Sequence, residues 1–214
     1  MKNNITELVF ILDRSGSMSG FESDTIGGFN SILERQKRLG GRCYVTTVLF
    51  DDQYSILHDR LDIREVRPMT SDDYSVRGCT ALLDAVGRSI RHIANIHRYA
   101  RPEDVPEKTL FVITTDGYEN ASRHYDADEV RRMVSHEKEK YGWEFIFLGA
   151  DIDAVETAGR IGIDRSRAAN YRKDTVGNEV MFRSVDAAIT MARTCAAVDD
   201  AWKADVDRDF AERK

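Results

Sequence analysis

Four short runs rich in β-branched and aromatic residues, at 8–12 (LVFIL), 44–50 (YVTTVLF), 109–114 (TLFVIT) and 143–148 (WEFIFL), are separated by longer stretches whose apolar residues recur at helical spacing. Each run is too short for an amphipathic helix and reads as a buried strand. Between them, Ile26, Phe29, Ile32 and Leu33 share one helix face, and Leu82, Leu83, Val86, Ile90, Ile93 and Ala94 share another. Strands that alternate with helices are joined by right-handed crossovers. The expected fold is therefore α/β, a doubly wound, mostly parallel central sheet with helices on both faces, Rossmann-like. Ligands of such sheets sit at the carboxyl ends of the strands.

The rhythm breaks at 51–63, where an Asp-rich turn and a second short run suggest an antiparallel edge hairpin. Beyond Asp151 the pattern predicts a helix over 154–160 that ends at Gly162, then an extended piece near 168–171. A longer helix should follow Val176, with Val180, Met181, Val185, Ala188, Ile189 and Ala192 on its apolar face. Residues 1–198 read as one domain. The charged stretch 199–214 (DDAWKADVDRDFAERK) reads as a solvated terminal helix or frayed tail.

Length and composition narrow the function. A chain of 214 residues with 42% hydrophobic and 32% charged residues buries one large core. A net charge of -6 without a dense Lys/Arg run repels phosphate backbones and anionic lipid, so neither nucleic acid nor a membrane surface is an expected partner. No apolar run approaches the roughly 18 residues of a membrane span, and the MKNNITE start lacks the apolar core of an export signal. Cys43, Cys79 and Cys195 are odd in number and far apart, which argues against a disulfide framework and a thiolate zinc site. They are expected to be buried, weakly reactive thiols in a cytoplasmic protein.

The loop after the first strand carries the chemistry. In Asp13-Arg14-Ser15-Gly16-Ser17, alternate residues can point to one centre as the loop curves, and the small Gly16 eases that curve. One carboxylate and two hydroxyls half-fill the shell of a hard cation such as Mg²⁺. Two further oxygens sit where the topology needs them: Thr80, opening the Leu82 helix, and Asp116, just after the 109–114 strand.

These segments, DRSGS, GCT before a helix and ITTDG after a strand, resemble in order and spacing the metal ion-dependent adhesion site of von Willebrand factor type A (vWA) domains. The similarity runs from about residue 8 through FLGADIDAVETAGRIGI, and is closest to stand-alone bacterial or phage vWA proteins. It implies a vWA fold with Asp13, Ser15, Ser17, Thr80 and Asp116 as metal ligands, and Mg²⁺, or else Mn²⁺ or Ca²⁺, as the ion. It also implies an open coordination position that accepts an Asp or Glu carboxylate of a partner protein. Thr80 and Asp116 would switch affinity, and the last helix, over 176–198, would move on binding. The expected role is a binding module and not an enzyme, one that could serve as accessory to a larger intracellular assembly; which Asp binds the ion directly stays open.

Plainer readings compete residue by residue. Asp and Ser cap helices and form turns, Thr80 alone suits an N-cap, and Asp116 before Gly117 suits a turn. Asp51 and Asp52 read as a hairpin turn, Asp153 as a helix N-cap and Asp151 as a crevice-edge group. Arg14, Met18, Phe21, Arg77, Tyr118 and Glu119 are rim candidates on solvated loops, and the five histidines lack ligand spacing. Two other functions remain. A phosphohydrolase also holds Mg²⁺ on an Asp loop, although its DxD acid is replaced here by Ser15. A degenerate vWA domain would keep the residues without metal.

Overall fold

The first strand shows why this sequence builds a sheet covered on both faces. In the computed structural model, which describes residues 4–194 and 197–213, β1 (Ile5–Asp13) is buried along its whole length. Leu8, Phe10 and Leu12 face one hydrophobic core, and Val9 and Ile11 face the other. An uninterrupted apolar run with period-two alternation between two cores is the pattern of a central strand in a parallel sheet.

The other strands are β2 (Arg42–Phe50), β3 (Tyr54–Asp62), β4 (Lys108–Thr115), β5 (Glu144–Gly149) and β6 (Ala168–Asn170). Their order in the sheet is β3-β2-β1-β4-β5-β6. All neighbours are parallel except β2 and β3, which form the antiparallel edge hairpin expected from the sequence.

Helices α1 (Glu22–Lys37), α5 (Thr175–Thr194) and α6 (Ala204–Glu212) cover the Leu8 face; α2 (Leu82–Tyr99), α3 (Ala127–Tyr141) and α4 (Ala154–Arg160) cover the Val9 face. The α4 bounds match the sequence expectation, and Asp153 caps it by accepting from Glu156 N at 2.8 Å. Among the described residues, no helix is long and apolar enough to cross a membrane.

The charged end of the chain departs from expectation. Trp202 is 1% exposed and Val206 fully buried, both in the core that includes α5, and Trp202 Nε1 donates to Ser166 O at 3.0 Å. Asp205, Asp207 and Arg208 are exposed on α6, so the segment is a helix, one of the two forms expected of it, but it packs against the core.

Candidate metal centre

Strand order reverses between β1 and β4, because the chain winds outward from β1 to β3 on one side and from β4 to β6 on the other. That reversal opens a crevice at the carboxyl edge, and Asp13 ends β1 there while Asp116 follows β4. The third loop, 77–81, is stitched to the first: Gly16 N donates to Gly78 O at 3.1 Å and Arg77 N to Arg14 O at 2.9 Å. Gly78 has φ 65°, where a side chain is strained, while Gly16 matters for close approach, since a Cβ there would lie 3.3 Å from Gly78 O.

The five oxygen-bearing residues converge. Thr80 Oγ1 donates to Ser15 Oγ at 3.0 Å, Ser15 Oγ and Ser17 Oγ are 3.0 Å apart, and Ser17 Oγ donates to Asp116 Oδ1. Asp13 lies beneath this row, its Oδ1 accepting from Ser15 N at 2.7 Å and its Oδ2 from Thr115 Oγ1 at 2.6 Å. A Cβ on Gly117 would sit 3.1 Å from Thr80 Oγ1, so the loop after β4 also closes against the row.

Burial raises the Asp13 carboxyl to about 6; hydrogen bonds from Thr115 and Ser15 oppose the rise and the nearby Asp116 charge adds to it. Asp116 Oδ2 is buried, and its close partner is the Lys173 ammonium, which pairs with it at 3.0 Å and with Asp151 Oδ2 at 3.4 Å. Burial alone would lower the Lys173 ammonium, but Asp116 and Asp151 hold it above the ordinary lysine range.

The donor set fits a hard divalent ion. It offers two carboxylates, one with a buried oxygen paired to the Lys173 ammonium, and three hydroxyls in one row, with oxygen the only ligand type. Among the described residues no three His, Cys, Asp or Glu side chains converge as a metal-binding group, so an ion held here would need the hydroxyls as ligands.

Several supports were not read from the sequence. Asn120 grips Thr80 from both sides, Oδ1 accepting from Thr80 N at 2.9 Å and its own N–H donating to Thr80 O at 3.0 Å. Tyr74 donates its hydroxyl to Asp13 O, and Asp84 accepts from the backbone of residues 123–125. Asn120 lies four residues after Asp116, a placement that could have suggested it; Lys173 had no local signal.

The rim readings divide. Tyr118 is exposed, but Arg14 and Met18 are buried, which corrects the solvated-loop reading. Arg14 Nε donates to buried Asp51 at 3.0 Å, as Arg77 Nε does at 2.7 Å, so the Asp-rich turn is an ionic clamp on the first loop. Glu119 turns inward and accepts from Leu83 N, Ala121 N and Ser122 N. Cys43 is buried, its thiol pushed up to about 12, whereas Cys79 is exposed, contrary to expectation; Cys195 lies outside the described residues.

No family model matches the sequence, and neither does any curated protein. Solved structures do match in fold. Proximal thread matrix protein 1 from the mussel byssus, with a zinc-occupied MIDAS motif, shares 16% identity at a TM-score of 0.57 over 85% of this chain and 44% of that chain. The ArnB paralog VWA2 from Sulfolobus acidocaldarius gives 15% and 0.54 over 86% and 45% of the two chains. A von Willebrand factor type A protein from Catenulispora acidiphila gives 12% and 0.56 over 86% and 42%. This chain thus spans less than half the length of each, and at such identities the likeness is one of fold: a vWA-type, Rossmann-like sheet.

Proposed function

We propose that the chain is a vWA-type, divalent-cation-dependent protein-binding module in which Asp13, Ser15, Ser17, Thr80 and Asp116 hold one Mg²⁺, with a coordination position left for an Asp or Glu carboxylate of a partner. The observation that carries this reading is the continuous row of Thr80, Ser15, Ser17 and Asp116 oxygens above the buried Asp13 carboxylate, at the crevice where strand order reverses. When bound, the ion supplies a Lewis-acidic centre at the protein surface.

The protein's own residues do the rest. Asp13, locked by Ser15 N–H and the Thr115 hydroxyl, sets the floor of the site, and Asn120 fixes Thr80. Exposed Tyr118 offers contact area for the partner beside the centre. Mn²⁺ or Ca²⁺ are the alternative ions for the same oxygens. The chain is read as a binder and not a phosphohydrolase because Ser15 stands where that chemistry needs a carboxylic acid. The exposed Cys79 thiol supports a reducing, cytoplasmic setting.

One observation favours a second reading. The Lys173 ammonium already stands at Asp116 and Asp151, so a structural domain could balance the buried Asp116 carboxylate with lysine instead of metal. The test is capture of acidic, Asp- or Glu-bearing peptides on the immobilised protein in Mg²⁺ and in chelator. Capture lost in chelator and in Thr80→Ala supports the module, and equal capture in both buffers overturns it.

A further inference from the structure

Lys173 sits at the junction between β6 and α5, and its backbone has little freedom. Asp174 N donates to Arg172 O at 2.9 Å, Asp174 Oδ1 accepts from Gly177 N at 2.7 Å, and a Cβ on Gly177 would lie 2.1 Å from Arg172 O. This tight turn aims the side chain inward, so that its ammonium lies 3.0 Å from Asp116 Oδ2, 3.4 Å from Asp151 Oδ2 and 5.8 Å from the centre of the Phe21 ring. The Asp116 side chain is fully buried, and Lys173 retains 23% of its own exposure. The Lys173 side chain is therefore partly open to solvent, whereas that of Asp116 is not.

We propose that Lys173 is a tethered counter-ion of the metal centre: it neutralises the Asp116 carboxylate through Oδ2 in the metal-free protein, and a divalent ion at the oxygen row, on the Oδ1 side, binds tightly only when this ammonium swings out. The inference rests on the metal-binding reading above and adds its regulation. Two cations on the two oxygens of one buried carboxylate repel each other, and the four-carbon stem of lysine lets the weaker competitor leave. The released ammonium stays anchored at the mouth of the crevice by the Arg172–Asp174 turn, and Asp151, 64% exposed on its side chain, is the partner that can retain it there. Lysine thus lowers metal affinity and keeps Asp116 compensated when no metal is present.

The experiment titrates Mn²⁺, followed by electron paramagnetic resonance, into chelator-treated wild type, Lys173→Met and Lys173→Arg. Lys173→Met is expected to bind Mn²⁺ at least about tenfold more tightly than wild type, with Lys173→Arg staying near wild type because charge is retained. A second measurement needs no variant: acylation of Lys173 by an amine-reactive reagent, read by mass spectrometry, should rise severalfold in saturating Mg²⁺ while Lys138 labelling stays constant. Unchanged or weaker Mn²⁺ binding by Lys173→Met, or Lys173 labelling that Mg²⁺ leaves flat or lowers, overturns the proposal. Failure of wild type to bind Mn²⁺ at all removes the metal reading itself, and the proposal with it.

Discussion

Replacing Asp13 by Asn should make the metal-free protein more stable at neutral pH. Asn preserves the shape of the site: one oxygen still accepts from Ser15 N, and the Thr115 hydroxyl, 3.2 Å from Gly117 O, can turn to donate there while accepting from the new amide. What it removes is a buried charge. The Asp13 carboxyl has a folded pKa of about 6 against 3.8 for the ordinary group, so the folded protein holds a proton that the unfolded chain releases. Its contribution to stability is then present below the ordinary value and lost as pH rises through the folded one. At 1.36 kcal/mol per unit the whole loss is about 3 kcal/mol, of which about 2 kcal/mol falls between roughly pH 4.5 and pH 7.5. Urea unfolding in chelator, at both pH values, should show Asp13→Asn gaining about 2 kcal/mol on wild type across this range. In saturating Mg²⁺ only wild type should gain, and the order should reverse. A stability difference that stays flat with pH, or falls as pH rises, would refute the assignment of Asp13 as a desolvated, uncompensated carboxylate.

Three further outcomes follow from the packing. Trp202→Ala should cost about 3–5 kcal/mol in a denaturant midpoint, whereas a solvated tail would lose less than about 0.5 kcal/mol. Gly78→Ala places a Cβ at φ 65° and 2.2 Å from Asp52 Oδ1, so thermal unfolding should show a loss of about 1–2 kcal/mol, and none if the loop relaxes freely. Asn120→Ala removes the acceptor of Thr80 N and should cost about 1 kcal/mol of stability and roughly threefold to tenfold in Mg²⁺ affinity by titration; unchanged affinity would mean Thr80 needs no such support.

Strand cores and the oxygen-bearing residues were legible because both signals are local. Runs such as 8–12 and 143–148 mark buried strands by composition alone, and a loop ending a central strand must lie at the ligand edge. Features that depend on contacts between distant segments were not. Arg14 is buried because Asp51 meets it across 37 positions of sequence, and Glu119 turns inward because α2 presents the Leu83 N–H to it. Lys173 reaches Asp116 only once β6 and α5 are placed. The burial of the terminal segment was obscured for another reason: Trp202, in a short 3-10 helix, and Val206, in α6, both enter the core, but the surrounding charges hide that pair.

The most direct test is isothermal titration of Mg²⁺ and Mn²⁺ into chelator-treated wild type, with Asp13→Ala and Thr80→Ala alongside. The account predicts saturable binding at one site, abolished in Asp13→Ala and weakened in Thr80→Ala. Wild type that binds neither ion, or Asp13→Ala that binds as tightly as wild type, would contradict it.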